Sequence, residues 1–104
     1  MTNFEAISAA IYPYDVDGNL IVKTCIDYGI ADASEYSARD KVDVAKAAIT
    51  ILRMLIGLSS ESNGGYSLGY DTTQLSQRIH DLAKDNGLTD IADEFNSRPK
   101  IRFL

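Results

Sequence analysis

The sequence predicts a mainly α-helical fold: a small bundle of four to five helices around one long helix, with a β-hairpin or extended loop at about residues 60–70. Three observations predict it. From Ala38 to about Leu58 nothing breaks a helix, and the run is rich in Val, Ala, Ile and Leu. On either side, apolar residues recur at steps of three and four between capping residues and glycines, the period of an amphipathic helix. Between the long run and the next helical pattern lies Ser59-Ser60-Glu61-Ser62-Asn63-Gly64-Gly65-Tyr66-Ser67-Leu68-Gly69-Tyr70-Asp71, polar and broken by glycine. Residues 1–97 form a single helical domain on this reading, and 98–104 a basic and apolar C-terminal tail.

Taken in order, Thr2 and Glu5 have the spacing of a capping box, and Phe4, Ile7, Ala10 and Ile11 follow at helical spacing. The spacing predicts a first helix over 3–12, ended at Tyr12-Pro13 because a residue before proline avoids the α region. Asp15-Val16-Asp17-Gly18-Asn19 has the alternating carboxylates of a calcium loop, but the twelfth position, where a bidentate acid is needed, is Ile26. A turn that leads into a helix is the better account, with Asn19 as cap, residues 20–28 helical and Gly29 just past the end. Leu20, Ile21, Thr24, Cys25 and Tyr28 then share a face, so Cys25 reads as a small core residue. Ile30 to Ser37 is a connector with room for one turn around Ala33 to Tyr36, and Ser37 with Asp40 gives a weaker cap signal.

In the long helix Val42, Ala45, Ile49, Leu52 and Ile56 step along one face, while Val44, Ala47, Ala48, Ile51, Met54 and Leu55 make its second half apolar nearly all round. Such a helix is either central to the bundle or covered on a second face by another subunit. The small size of the domain favours the self-association surface; the alternative is cover from the connector, the first helix and the fourth. After the glycine-broken stretch, Asp71, Thr72 or Thr73 caps a fourth helix that ends at Asn86-Gly87, with Leu75, Ile79, Leu82 and Ala83 inward and Gln74, Gln77, Arg78, Asp81 and Lys84 outward. Leu88 closes a Schellman contact, Thr89 caps a last helix over Asp90 to Phe95, and Asn96-Ser97-Arg98-Pro99 stops it.

Charge and motifs narrow the function. Ten Lys and Arg against 15 Asp and Glu give a net charge of −5, which argues against non-specific binding to phosphate backbones or anionic lipid. Three of those basic residues, Arg98, Lys100 and Arg102, sit in the tail, leaving 7 against 15, or −8, for the rest. One cysteine cannot form an internal disulfide, and no apolar run approaches the 18 or so residues of a membrane span. A soluble protein made in the cytoplasm is expected. There is no P-loop, dinucleotide fingerprint, paired-cysteine zinc pattern or His-Glu-x-x-His helix, and His80 lacks metal-ligand partners at the right spacing. Neither an enzyme nor a cofactor is expected.

The interaction residues follow from pairing and chemistry. Tyr66, Leu68 and Tyr70 alternate with Ser67 and Gly69 at the period of a strand, and one short strand must pair with something, its own hairpin or another chain. In the tail, Lys100-Ile101-Arg102-Phe103-Leu104 alternates basic and apolar residues, which suits an arm that packs on a partner; a frayed terminus is the alternative.

The pattern Ser60-Glu61-x-x-Gly64-x-Tyr66-Ser67-x-x-Tyr70, after a long apolar helix and before a polar amphipathic one, resembles the head-to-tail connector (adaptor) proteins of tailed bacteriophages and prophages. The resemblance implies a structural virion protein: a homo-oligomeric ring, formed on assembly, that joins the portal protein to the tail or stopper protein. DNA would pass through it without sequence-specific binding. It implies a location at the portal vertex of the virion, with synthesis in the bacterial host cytoplasm. It also implies that the stretch carrying Ser60, Glu61, Gly64, Tyr66, Ser67, Leu68 and Tyr70 projects to contact neighbouring subunits or the next ring. The tail residues Arg98, Lys100, Ile101, Arg102, Phe103 and Leu104 would dock on the portal. A small helical regulatory or peptide-binding domain, with the tyrosine-rich segment as an edge for strand addition, is the reading from another class.

Overall fold

The structure is a computed structural model that describes residues 1–60 and 70–95. It is a helical bundle: α1 (Asn3–Ile11), α2 (Gly18–Asp27), a single 3-10 turn (Ala38–Asp40), α3 (Lys41–Ser60), α4 (Thr72–Asp85) and α5 (Thr89–Glu94). The hairpin or loop expected at 60–70 lies outside the described residues except at its two ends. Among the described residues the one β feature is an isolated antiparallel bridge between Thr2 and Glu35.

The start of α1 shows how local chemistry and the connector work together. A helix leaves its first N–H groups without partners inside the helix. Thr2 and Glu5 form the expected capping box: Thr2 Oγ1 accepts from the Glu5 N–H at 3.1 Å and Glu5 Oε1 accepts from the Thr2 N–H at 2.8 Å. The connector supplies the remaining acceptors, Ser34 O for the Asn3 N–H at 2.9 Å and Asp32 O for the Phe4 N–H at 3.0 Å. The Asn3 side chain, itself buried, donates to Ala31 O at 2.9 Å. Residues 31–36 are thus a built cover over the N-terminus of α1; the turn in it closes from the Ser34 N–H to Ala31 O at 3.2 Å, two residues ahead of the Ala33 to Tyr36 expected, where Glu35 instead bridges to Thr2. At the other end of α1, Tyr12 leaves the helix in an extended conformation (φ −55°, ψ 136°) and its peptide with Pro13 is cis.

Both glycine stops are as expected. Gly29 has φ 75° and Gly87 has φ 71°, a region that suits a residue without Cβ. Each is followed by the bond of a Schellman motif, Ile30 N–H to Cys25 O at 3.0 Å and Leu88 N–H to Ala83 O at 2.9 Å. Three caps differ from expectation. Asp17, not Asn19, caps α2, its carboxylate accepting from the Asn19 N–H at 2.8 Å; two residues of lead let a carboxylate reach an N–H that Asn19 itself contributes. Ser37 makes no side-chain cap, and the chain enters α3 through the 3-10 turn. Leu88, not Thr89, occupies the cap position of α5, again without a side-chain bond.

The core lies along α3. Val44, Ala45, Ala47, Ala48, Ile49, Ile51, Leu52 and Leu55 are all buried, on several sides of the helix. Helices α1, α2 and α4 pack against it, contributing Ile7, Ile11, Ile21, Cys25, Leu75 and Ile79 to the same core. Helix α5 packs on α4 and is tied to α3 through Arg53, whose guanidinium makes two bonds of 2.9 Å to the Glu94 carboxylate and lies 4.9 Å from the centre of the Phe95 ring. The all-round apolar character of α3 is therefore met by its own chain. The self-association surface expected of it reduces to Val42, Met54 and Leu58, exposed at 40%, 37% and 45%. The long helix also runs two residues past Leu58, so Ser60 belongs to α3.

Candidate functional site: the junction between α3 and α4

The resemblance places the contact residues between α3 and α4. Of these, Ser60 is the last residue of α3 and Tyr70 immediately precedes the cap of α4. Glu61, Gly64, Tyr66, Ser67 and Leu68 lie outside the described residues, as do Arg98, Lys100, Ile101, Arg102, Phe103 and Leu104 of the tail.

Tyr70 is built into the body. It is half-buried against the core, and its ring meets that of Tyr14 edge to face, centroids 5.0 Å apart at 65°. That arrangement sets the positive edge of one ring on the negative face of the other. Tyr70 is therefore anchored on the body: the apolar surface of Tyr14, brought round by the turn at Tyr12–Pro13, gives it something to pack on. The next residue fixes the helix. Asp71 Oδ1 accepts from the Thr73 N–H at 2.9 Å and the Gln74 N–H at 3.4 Å, and a carboxylate is favoured at that end of the helix dipole. Two turns on, Arg78, expected to point outward, donates from Nη1 to Ala10 O at 2.9 Å and joins α4 to the end of α1. A long side chain with an apolar stem lets a residue on the polar face reach back to a helix end.

Elsewhere the ionisable groups have structural surroundings. Cys25 is fully buried, and burial first, then the negative charge of Asp32, pushes its thiol pKa up, so it stays protonated as a core side chain. His80 is half-buried with Nδ1 3.3 Å from Asp81 Oδ1. Asp17 is engaged as a cap, and among the described residues no group of three His, Cys, Asp or Glu side chains could hold a metal ion. The Arg53 hydrogen bonds hold the Glu94 carboxyl below the usual carboxylate range. No helix of the described residues is long and apolar enough to cross a membrane.

One concave feature was not legible in the sequence. A groove of about 360 Å³ opens between α1, the start of α3 and the end of α4, walled by Ala6, Ala10, Val44, Ala45 and Leu82. Its signal in the sequence is faint: small alanines where larger residues would have filled the gap between helices.

The described residues define a small, mainly helical protein with a central helix, α3, and a junction to α4 at that helix's C-terminal end. The chain belongs to the family DUF6706, a family of unknown function, whose model matches residues 1–103. The match spans both the junction and nearly all of the tail. No curated protein and no solved structure matches the chain.

Proposed function

We propose that the protein is a structural component of a virion, a head-to-tail connector that forms a ring on assembly, joins the portal protein to the tail or stopper protein and continues the DNA channel. The observation that carries this reading is where the motif is mounted. Residues 61–69 leave the end of the longest, most deeply packed helix and return at Tyr70 and Asp71, both fixed by the body. A contact segment with rigid roots loses less freedom on binding than one on a loose tether, which favours repeated contacts around a ring. The acidic balance outside the tail supports passage of DNA without adhesion. In this reading the basic, apolar tail reaches the portal, and the protein works at the portal vertex after synthesis in the host cytoplasm.

The test is electron microscopy of the purified protein mixed with a portal protein from the same genome. Rings stacked on the portal are expected, and a protein that stays monomeric and ignores that portal at high concentration overturns the proposal. A Tyr66→Ala variant, with Tyr70 kept because it packs on Tyr14, should retain its helical circular dichroism and lose assembly, since aromatic residues carry a large share of interface energy. Wild-type assembly by that variant would remove the segment from the interface.

A further inference from the structure

We infer that two copies of the chain meet head to tail through α3, the outer ridge of one copy's α3 seated in the groove between α1, α3 and α4 of the next. This contact rests on the ring reading and names the body surfaces that would close such a ring. Val42, Lys46, Thr50, Met54 and Leu58 follow one another at steps of four, so they form a single ridge along the helix. Its apolar members, Val42, Met54 and Leu58, are exposed. The groove, about 360 Å³ and walled by Ala6, Ala10, Val44, Ala45 and Leu82, is too small for two turns of a helix about 10 Å across and suits the side chains of one ridge.

Geometry and charge select a second copy as the occupant. At about 100° per residue, Thr50, the middle of the ridge, lies about 170° around α3 from the direction midway between Val44 and Ala45, so ridge and groove face opposite ways. One chain therefore cannot seat its own ridge in its own groove. A contact between two different surfaces leaves one of each free on the pair, so it repeats until the rotation closes a ring. The two surfaces also carry opposite charge. The ridge bears Lys46 and the groove is lined by Asp85, and among the described residues neither side chain has an ion-pair partner. The cation nearest Asp85, Lys41, is engaged elsewhere, donating to Asp85 O at 3.1 Å and Asn86 Oδ1 at 2.9 Å. Lys46 of one copy facing Asp85 of the next sets the register, while the apolar ridge residues cover the alanine wall.

The test is cross-linking of the full chain carrying Thr50→Cys on the ridge and Ala9→Cys on the groove edge, both exposed positions. A thiol-specific bifunctional reagent is added to the protein at high concentration, alone and mixed with the portal protein. The native Cys25 is fully buried and does not compete. A ladder of dimers, trimers and higher species is expected from the double variant, and no ladder from either single variant, because a head-to-tail contact brings unlike positions together. Lys46→Glu in the double variant should remove most of the ladder, and Asp85→Lys added to it should restore the ladder. A missing ladder under both conditions overturns the contact, as does a dimer formed by one single variant or a charge reversal that Asp85→Lys fails to rescue. Rings on the portal without a ladder leave the connector reading standing and this contact refuted. A ladder from the free protein with no rings on the portal does the reverse.

Discussion

Helices α3 and α4 already differ in the sequence, one apolar nearly all round and the other along a single stripe, and their surroundings in the fold give that difference its meaning. In α4 Leu75, Ile79 and Ala83 are buried on one stripe while Gln74, Asp81 and Lys84 face water, and its hydrophobic pattern describes its surroundings directly. In α3 the apolar residues spread around the axis, and Ala47 and Leu52, about 140° apart around the helix, are both completely buried. The lesson is that an apolar circumference counts neighbours without identifying them. Either a second subunit or the same chain satisfies it, and here α1, α2 and α4 suffice, with α5 joined through Arg53.

The comparison breaks first on substitutions around α3. Leu52→Ala should cost about 2–5 kcal/mol, read as a lower urea midpoint, because it removes buried volume that neighbours only partly refill. On the other side Ala47→Leu should cost about 1–3 kcal/mol by overpacking. If Ala47→Leu is neutral while Leu52→Ala is not, the side of α3 at Ala47 is not closed by its own chain, and the contrast with α4 fails. Gln74→Ala, on the wet face of α4, should stay within about 0.5 kcal/mol.

A smaller effect separates the helices by their ends. Asp71→Ala should cost about 1 kcal/mol through the lost cap, while Asp71→Asn or Asp71→Ser should recover most of it in the same denaturation experiment. The smallest effect concerns how α5 is held to α3. The Arg53 bonds lower the folded-state pKa of Glu94 relative to the unfolded chain, so their stabilisation is fully present above the ordinary glutamate value and is lost as pH falls through the lowered one. Glu94→Gln should flatten that acid-side slope slightly and leave neutral-pH stability almost unchanged, because the pair is solvent-exposed.

The local signals in the chain were reliable where one short stretch contains the whole interaction. The Thr2–Glu5 capping box and the positive-φ glycines at 29 and 87 each close within a few residues, so spacing alone identifies them, while for α4 it narrows the cap to Asp71, Thr72 or Thr73, of which the structure has Asp71. Asp17 in place of Asn19 shows the limit of that method: two neighbouring polar residues compete for one cap, and the backbone direction decides between them. The junction was half legible. Its glycines and tyrosines mark it as unusual, but the fixing of Tyr70 by Tyr14 and of α4 by the Arg78 bond to Ala10 joins residues far apart in the chain.

By itself, then, the sequence determined the helices, their order, most of their ends and the acidic body with a basic tail, because periodicity, capping and charge are properties of neighbouring residues. Only the tertiary structure decided that α3 is covered by its own chain, that Tyr70 is a root in the body, and that small alanines leave a groove between α1, α3 and α4. Those depend on which surfaces meet, and packing joins residues whose separation along the chain carries no periodic signal.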